Sequence, residues 1–285
     1  MSARRIAIVG VGKLGHALAL SLHSAGYEID SLLLRSGASQ ANTKARKLAK
    51  QVGARLSNRP SELAASNIVW FCVPDSEIKR AAVSLSTAID WHGKIAIHLS
   101  GALTSNELSA LRRQGAAVAS VHPLMTFVSG SQPALAGVAF ALEGDAAALR
   151  EARAIIKKLG GSAYTIREQD KPAYHAWATF TSPLLTALFA TNEQVARAAG
   201  VDRNEAKRRM LPILRQTLEN YVAYDAADAF SGPIIRGDVD TVKRHLRTLR
   251  KIPAAREVYI ALARAALAYL PVKNKTALKR TLASK

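Results

Sequence analysis

Over the first 165 or so residues, short apolar runs alternate with stretches of about 10 to 15 residues whose apolar positions recur at helical spacing. The runs RIAIV, EIDSLLL, NIVWFCV, KIAIHL, AAVASV and GVAFAL are rich in β-branched and large apolar residues, as strands covered on both faces should be. Helices fit between them over Lys13–Ala25, Gln40–Gln51, Asp75–Ala88, Thr104–Arg113 and Ala146–Leu159. This alternation predicts βαβ units on a parallel sheet. After AYTI, Ala163–Ile166, the strand pattern stops. Asp170–Ala199 reads as one long helix kinked at Pro183, followed by helices over Asp202–Ala223, Asp238–Leu249 and Ala254–Tyr269, with stops at Gly200 and around Gly232-Pro233. The expected fold class is therefore α/β, a Rossmann-type, mostly parallel sheet over residues 1–166, followed by an all-helical second domain over 167–285 for substrate and dimerisation.

RIAIVGVGKLG places Gly10, Gly12 and Gly15 directly after an apolar strand and at the mouth of a helix. In that context Gly10 makes the tight turn, Gly12 lets the backbone approach a pyrophosphate closely, and Gly15 brings helix against strand. Lys13 and Leu14 lie at the helix start, whose free N–H groups and positive dipole end favour phosphate. The second strand ends in Arg35, Ser36 and Ser39, where an NAD enzyme would present a carboxylate to the ribose. A guanidinium with hydroxyls suits a 2′-phosphate, so the expected cofactor is NADP. Val73 and Pro74 follow one strand and Ser100 and Gly101 another. Ligands of open α/β sheets lie beyond these carboxyl ends, which makes Val73, Pro74 and Ser100 cofactor candidates and Gly101 a substrate candidate. Asp75 reads as the cap of the next helix.

Composition narrows the class. With 285 residues, 49% hydrophobic and 21% charged, the chain has the makings of one large or two ordinary domains. The single cysteine, Cys72, excludes a disulfide framework and a cysteine zinc site, and fits a reducing compartment. No apolar stretch reaches the roughly 18 residues a membrane span requires, and no cleavable leader is evident, so a cytoplasmic protein is expected. The net charge of +19 would concentrate anions near the surface, an anionic small-molecule substrate included. The densest basic tract, KNKTALKRTLASK, lacks aromatics that stack on single strands, which argues against nucleic acid as the partner.

Three side chains are candidates for proton transfer. His122 follows AAVASV at a strand end, with Pro123 holding its backbone extended. Lys171 and His175 are four apart and share one helical face, where they could supply a proton and a positive charge to a developing alkoxide or amine. His98 lies within a strand and reads as a core residue, while His245 reads as a helix residue without polar company. In the polar segment SGPIIRGD, Arg236 could hold a substrate carboxylate or phosphate, and Asp238 would cap the following helix.

The ordered series GVGKLG, LLLRS, VPDSEI, HLSGALTS, VHPLMTF, FALEGD, DKPAYHA and SGPIIRGD resembles bacterial proteins that join a Rossmann-like domain to a helical C-terminal domain of unknown function. That family is similar to the pyrroline-5-carboxylate reductases, β-hydroxyacid dehydrogenases and prephenate dehydrogenases. The resemblance implies an NADP-binding fold, often dimeric through the helical domains. Lys171 matches the catalytic lysine of the β-hydroxyacid dehydrogenases, with His175 where they have asparagine. His122-Pro123 is similar to the His-Pro pair of prephenate dehydrogenases, and Ser182-Pro183 departs from the serine-asparagine usual in the closer family. The expectation is an NADPH-dependent oxidoreductase that reduces a small carbonyl or imine at an interdomain cleft, as a homodimer. The alternative is a nicotinamide-nucleotide sensor without turnover.

Overall fold

The computed structural model describes residues 4–34, 42–129, 131 and 133–283, which divide into two compact units, Met1–Thr179 and Phe180–Lys285. In the first unit the strands are β1 (Arg5–Val9), β2 (Glu28–Leu33), β3 (Arg55–Ser57), β4 (Ile68–Phe71), β5 (Ile95–His98), β6 (Ala117–Pro123), β7 (Ala139–Gly144) and β8 (Ser162–Thr165). They form one sheet in the order β3-β2-β1-β4-β5-β6-β7-β8. The six strands from β3 to β6 are parallel, β7 runs antiparallel to β6, and β8 is parallel to β7. The first six strands follow the doubly wound order, with the switch point between β1 and β4.

Around the sheet lie α1 (Lys13–Ser24), α2 (Asn42–Val52), α3 (Asp75–Leu85), α4 (Ser109–Arg112), α5 (Ala146–Lys158) and α6 (Lys171–Thr179). Successive strand residues serve opposite faces: Ile6, Ile8, Ile68 and Trp70 enter one apolar cluster, while Ala7, Val9, Val69 and Phe71 enter the other. That is why the runs are apolar throughout rather than alternating. β3 went unanticipated because RLS is three residues long and holds one apolar side chain. The helix expected over Thr104–Arg113 is a 3-10 turn, Ser105–Leu108, capped by the Thr104 hydroxyl and continued by α4.

The second unit opens with a π turn, Phe180–Leu184, that contains Pro183, and continues as α7 (Leu185–Ala198), α8 (Arg203–Ala223), α9 (Ala226–Ala229), α10 (Pro233–Arg236), α11 (Val239–Leu249), α12 (Pro253–Tyr269) and α13 (Lys275–Ala283). The run expected as one kinked helix is thus α6, the π turn and α7. Val242 and Leu246 of α11, Ala263 and Leu267 of α12, and Leu278 and Leu282 of α13 form its core. α13 lies in the basic tract read only for its charge, yet Leu278 and Leu282 are spaced i, i+4 and both are buried. The boundary between compact units falls after the expected 166/167 division because α6 anchors Lys171 and Tyr174 in the first unit. Among the described residues, no helix is long and apolar enough to cross a membrane.

Candidate active site

β1 delivers the glycine turn to the switch point. Gly10 takes φ +93°, its N–H donates to the Leu33 carbonyl at 2.9 Å, and a β-carbon there would stand 2.8 Å from the Cys72 carbonyl oxygen. A β-carbon on Gly15 would stand 2.2 Å from the Gly10 carbonyl oxygen, so helix and turn touch backbone to backbone. Gly12 differs, since a β-carbon there would meet no protein atom within 4 Å. It caps α1, whose first turn has no acidic side chain and no side-chain cap, leaving backbone N–H groups for a ligand. Lys13 is exposed beside it, and Leu14 packs partly on the core. These features fit a pyrophosphate. Val73 is half-buried against Gly10, and Pro74 is the exposed cap of α3. Arg35, Ser36 and Ser39, on which the NADP preference was read, lie outside the described residues.

The turn after β5 is held by polar contacts that the sequence hid. The Ser100 hydroxyl donates to Asp75 Oδ2 at 2.7 Å and accepts the N–H groups of Ala102 and Leu103 at 3.2 and 3.0 Å. Asp75 therefore anchors this loop rather than capping α3, whose cap is Pro74. The Ser100 N–H donates to Nδ1 of His98, whose Nε2 bonds the Thr104 carbonyl. His98 is fully buried, and desolvation lowers its pKa to about 4. The expectation of a core histidine holds.

Lys171 begins α6 and is 0% exposed. Its Nζ donates to the Ser120 hydroxyl at 2.8 Å and to the Ser100 carbonyl at 3.3 Å. Ser120 Oγ also donates to the Ser100 carbonyl at 3.0 Å. Burial lowers the pKa of Lys171, while Glu143, Asp75 and Glu168 oppose the shift. Glu143 is itself buried, with its carboxylate accepting the N–H and hydroxyl of Ser105; desolvation raises its pKa against those bonds and the nearby Lys171.

His122 lies inside β6, not after it, and pairs with Ala141 of β7. Its Nδ1 is 2.7 Å from the Tyr174 hydroxyl, and its ring meets that of His175 edge-on at 6.1 Å. Both rings crowd Gly101: a β-carbon there would stand 2.8 Å from His122 Nε2 and 2.8 Å from His175 Cδ2. Glycine is required at 101 for this close approach. Desolvation, then the charges of His175 and Lys171, lowers the pKa of His122 to about 4, so its ring is neutral near pH 7. Burial and the neighbouring Tyr164 push the Tyr174 phenol up, keeping it protonated. Both histidines are half-buried.

His122, His175, Gly101, Ser100 and Lys171 are thus brought together within the first unit, with Tyr174, Ser120, Asp75 and Glu143 as partners that sequence reasoning missed. A polar residue within a buried strand was the available signal for Ser120 and Glu143. Arg236 belongs to the second unit, where it ends α10 and is exposed, and Asp238 caps α11 as expected, accepting the Thr241 N–H. His245 has the polar partner the sequence did not suggest, the Tyr259 hydroxyl at 3.1 Å.

Residues 2–123 match the model of a Rossmann-like domain, and residues 138–266 match that of DUF2520, a domain of unknown function. No curated protein is significantly similar to the chain. Among solved structures, a candidate NADP oxidoreductase from Bacteroides fragilis is similar with TM-score 0.76 and 21% identity, over 92% of this chain and 97% of that one. An imine reductase from Myxococcus stipitatus in complex with NADP+ is similar with TM-score 0.66 and 19% identity, over 98% and 99%. A reductive aminase from Aspergillus terreus in complex with NADPH and ethyl-5-oxohexanoate gives TM-score 0.68 and 17% identity, also over 98% and 99%.

Proposed function

We propose that this chain, which joins a Rossmann-like domain to a DUF2520 domain, is an NADPH-dependent oxidoreductase that reduces a small carbonyl or imine compound. The observation that carries the reading is one shared edge. β1, β4, β5 and β6 are parallel, so the open glycine turn, Val73, Gly101 and the His122–Tyr174 pair all lie toward their carboxyl ends. NADPH, when bound, supplies the hydride. The oxidoreductases and imine reductases of similar fold, two of them solved with NADP+ or NADPH, support the same assignment.

In this reading Gly10, Gly12, Lys13, Leu14 and Gly15 take the pyrophosphate, Val73 and Pro74 border the cofactor, and Arg35 with Ser36 grips the 2′-phosphate. When the Tyr174 hydroxyl donates the 2.7 Å hydrogen bond to His122 Nδ1, the neutral ring carries its own proton on Nε2, the nitrogen against Gly101. From there it can pass to a substrate oxygen or nitrogen as the Tyr174 hydroxyl hands its own proton to Nδ1, so that the ring stays neutral and the negative charge moves to the Tyr174 oxygen until solvent returns the proton, with His175 on the other side of Gly101. Lys171 is a positioning residue: its ammonium fixes the Ser100 carbonyl and Ser120, and so the loop that carries Gly101. Arg236 is read as a substrate contact.

The test is NADPH oxidation with a panel of cyclic imines and ketones, alongside titration calorimetry with NADPH and NADH. NADPH should bind at least about tenfold tighter, and Arg35→Ala should shrink the gap. His122→Asn and Tyr174→Phe should each lower kcat by roughly two to four orders of magnitude with NADPH affinity retained. Tight NADPH binding with no turnover of any panel member would favour the sensor, a reading to which the burial of Lys171 lends weight. Equal NADPH and NADH affinities would remove the NADP assignment.

We also read the protein as a homodimer through its helical unit. Among the described residues α7 buries no side chain, while Phe180, Ile213, Tyr221 and Val222 are 63–78% exposed. Apolar surface of that extent marks an interface. Light scattering at micromolar concentration should give twice the 30.5 kDa chain mass.

A further inference from the structure

The second unit contains a cavity of about 580 Å³ that the proposed reductase chemistry does not use. It is lined by Lys243, Arg244 and Arg247 of α11, Arg250 just beyond, Arg256 of α12 and Thr281 of α13. The helix pattern explains the arrangement. Val242, Leu246 and Leu249 turn inward as the apolar stripe of α11, so the cations interleaved with them line its outer flank. Asp240 supplies one opposing charge. Its carboxylate is 85% exposed and 3.7 Å from Lys243, a pair worth little in water. Arg244 donates to the Thr241 hydroxyl at 3.0 Å. The guanidinium groups of Arg247 and Arg250 have no hydrogen-bond or ion-pair partner among the described residues. From Val239 onward the chain has twelve Lys and Arg against two Asp and Glu, about half of the whole excess of +19.

We propose that this cavity binds a compact polyanion, a small molecule carrying two or more phosphoryl groups. Like charges held around one concavity repel each other, and an anion with several oxygens relieves that repulsion while offering guanidinium groups bidentate partners. The volume is that of a small-ligand site. No aromatic side chain lines it, so it lacks the stacking platform of a single-strand nucleic-acid track. The site needs neither the glycine turn nor His122, and it stands independently of the reductase reading.

The probe is inorganic tripolyphosphate, titrated by calorimetry into the full chain at low and at moderate salt, with ATP as the arm that tests for a nucleoside. Tripolyphosphate should bind with one site per chain and weaken with salt. Arg247→Ser with Arg250→Ser should reduce the affinity at least about tenfold. Lys273→Ser with Lys275→Ser removes the same charge outside the cavity and should leave affinity within about twofold, and unchanged thermal melts of both variants show that folding is intact. ATP binding tighter than tripolyphosphate, lost in the same arginine variant, supports a nucleotide as ligand. Equal losses in the two double variants, no binding, or an RNA oligomer binding more tightly than either phosphate would overturn the proposal.

Discussion

The two units bury their apolar residues by opposite means. In the first, β4 and β5 are buried at every position, and each strand face meets its own cluster of side chains from the flanking helices. In the second, α11 to α13 share a small core, whereas α8, with 21 residues, buries Ala206 alone and leaves Ile213 at 68% and Val222 at 78% exposed. A sheet covered on both sides completes its core within one chain. Long helices with apolar faces left in water do not, which is why the proposed dimer is placed there. The chemistry follows the same division: hydrogen-bonded, desolvated groups in the first unit, exposed cations in the second.

The largest effect should come from the closed side of this contrast. Gly15→Val would drive a branched side chain into the Gly10 carbonyl, 2.2 Å from where its β-carbon must go. Backbone cannot retreat as a flexible side chain can, so unfolding free energy should fall by about 3 kcal/mol or more in urea denaturation. A loss below about 1 kcal/mol would show the turn to be looser than its contacts imply.

Acid should find the closed unit next. His98 is neutral in the fold, with a pKa near 4 against an ordinary 6.5. Between those values the unfolded chain binds more protons, so stability complete above about pH 6.5 is lost as pH falls toward 4, by about 2 kcal/mol at pH 5 from this residue. His122 adds in the same direction, discounted for its partial exposure. His98→Gln should flatten the pH dependence of unfolding between pH 6.5 and 4, whatever its stability at pH 7; an unaltered slope would contradict a desolvated ring.

On the open side effects should be smaller and should appear in assembly rather than folding. Ile213→Ser should weaken the dimer by about tenfold, measured by sedimentation across a dilution series, with little change in the unfolding of the first unit. If the chain is monomeric before substitution, the exposed face needs another explanation and the contrast between units loses its meaning.

Much of this was legible in the chain. The βαβ alternation is a local pattern, because strands and helices carry periods of 2 and 3.6 whatever they pack against. The glycine turn was legible because its spacing is set by backbone geometry within six residues. β3 was not, since three residues hold no period, nor was α13, whose two buried leucines are outnumbered by lysines and arginines. What only the tertiary structure decided is who meets whom. His122 finds Tyr174 from 52 residues away, Lys171 finds Ser120 from 51, and Asp75 after β4 finds Ser100 after neighbouring β5, 25 residues on. The sequence alone placed Lys171 and His175 on one helical face. Whether that face looked into protein or into solvent depended on how α6 meets the sheet, and the fold turned the lysine inward onto two serines, because the buried Ser100 carbonyl just past β5 and the Ser120 hydroxyl within neighbouring β6 offered its ammonium the partners that water would otherwise supply.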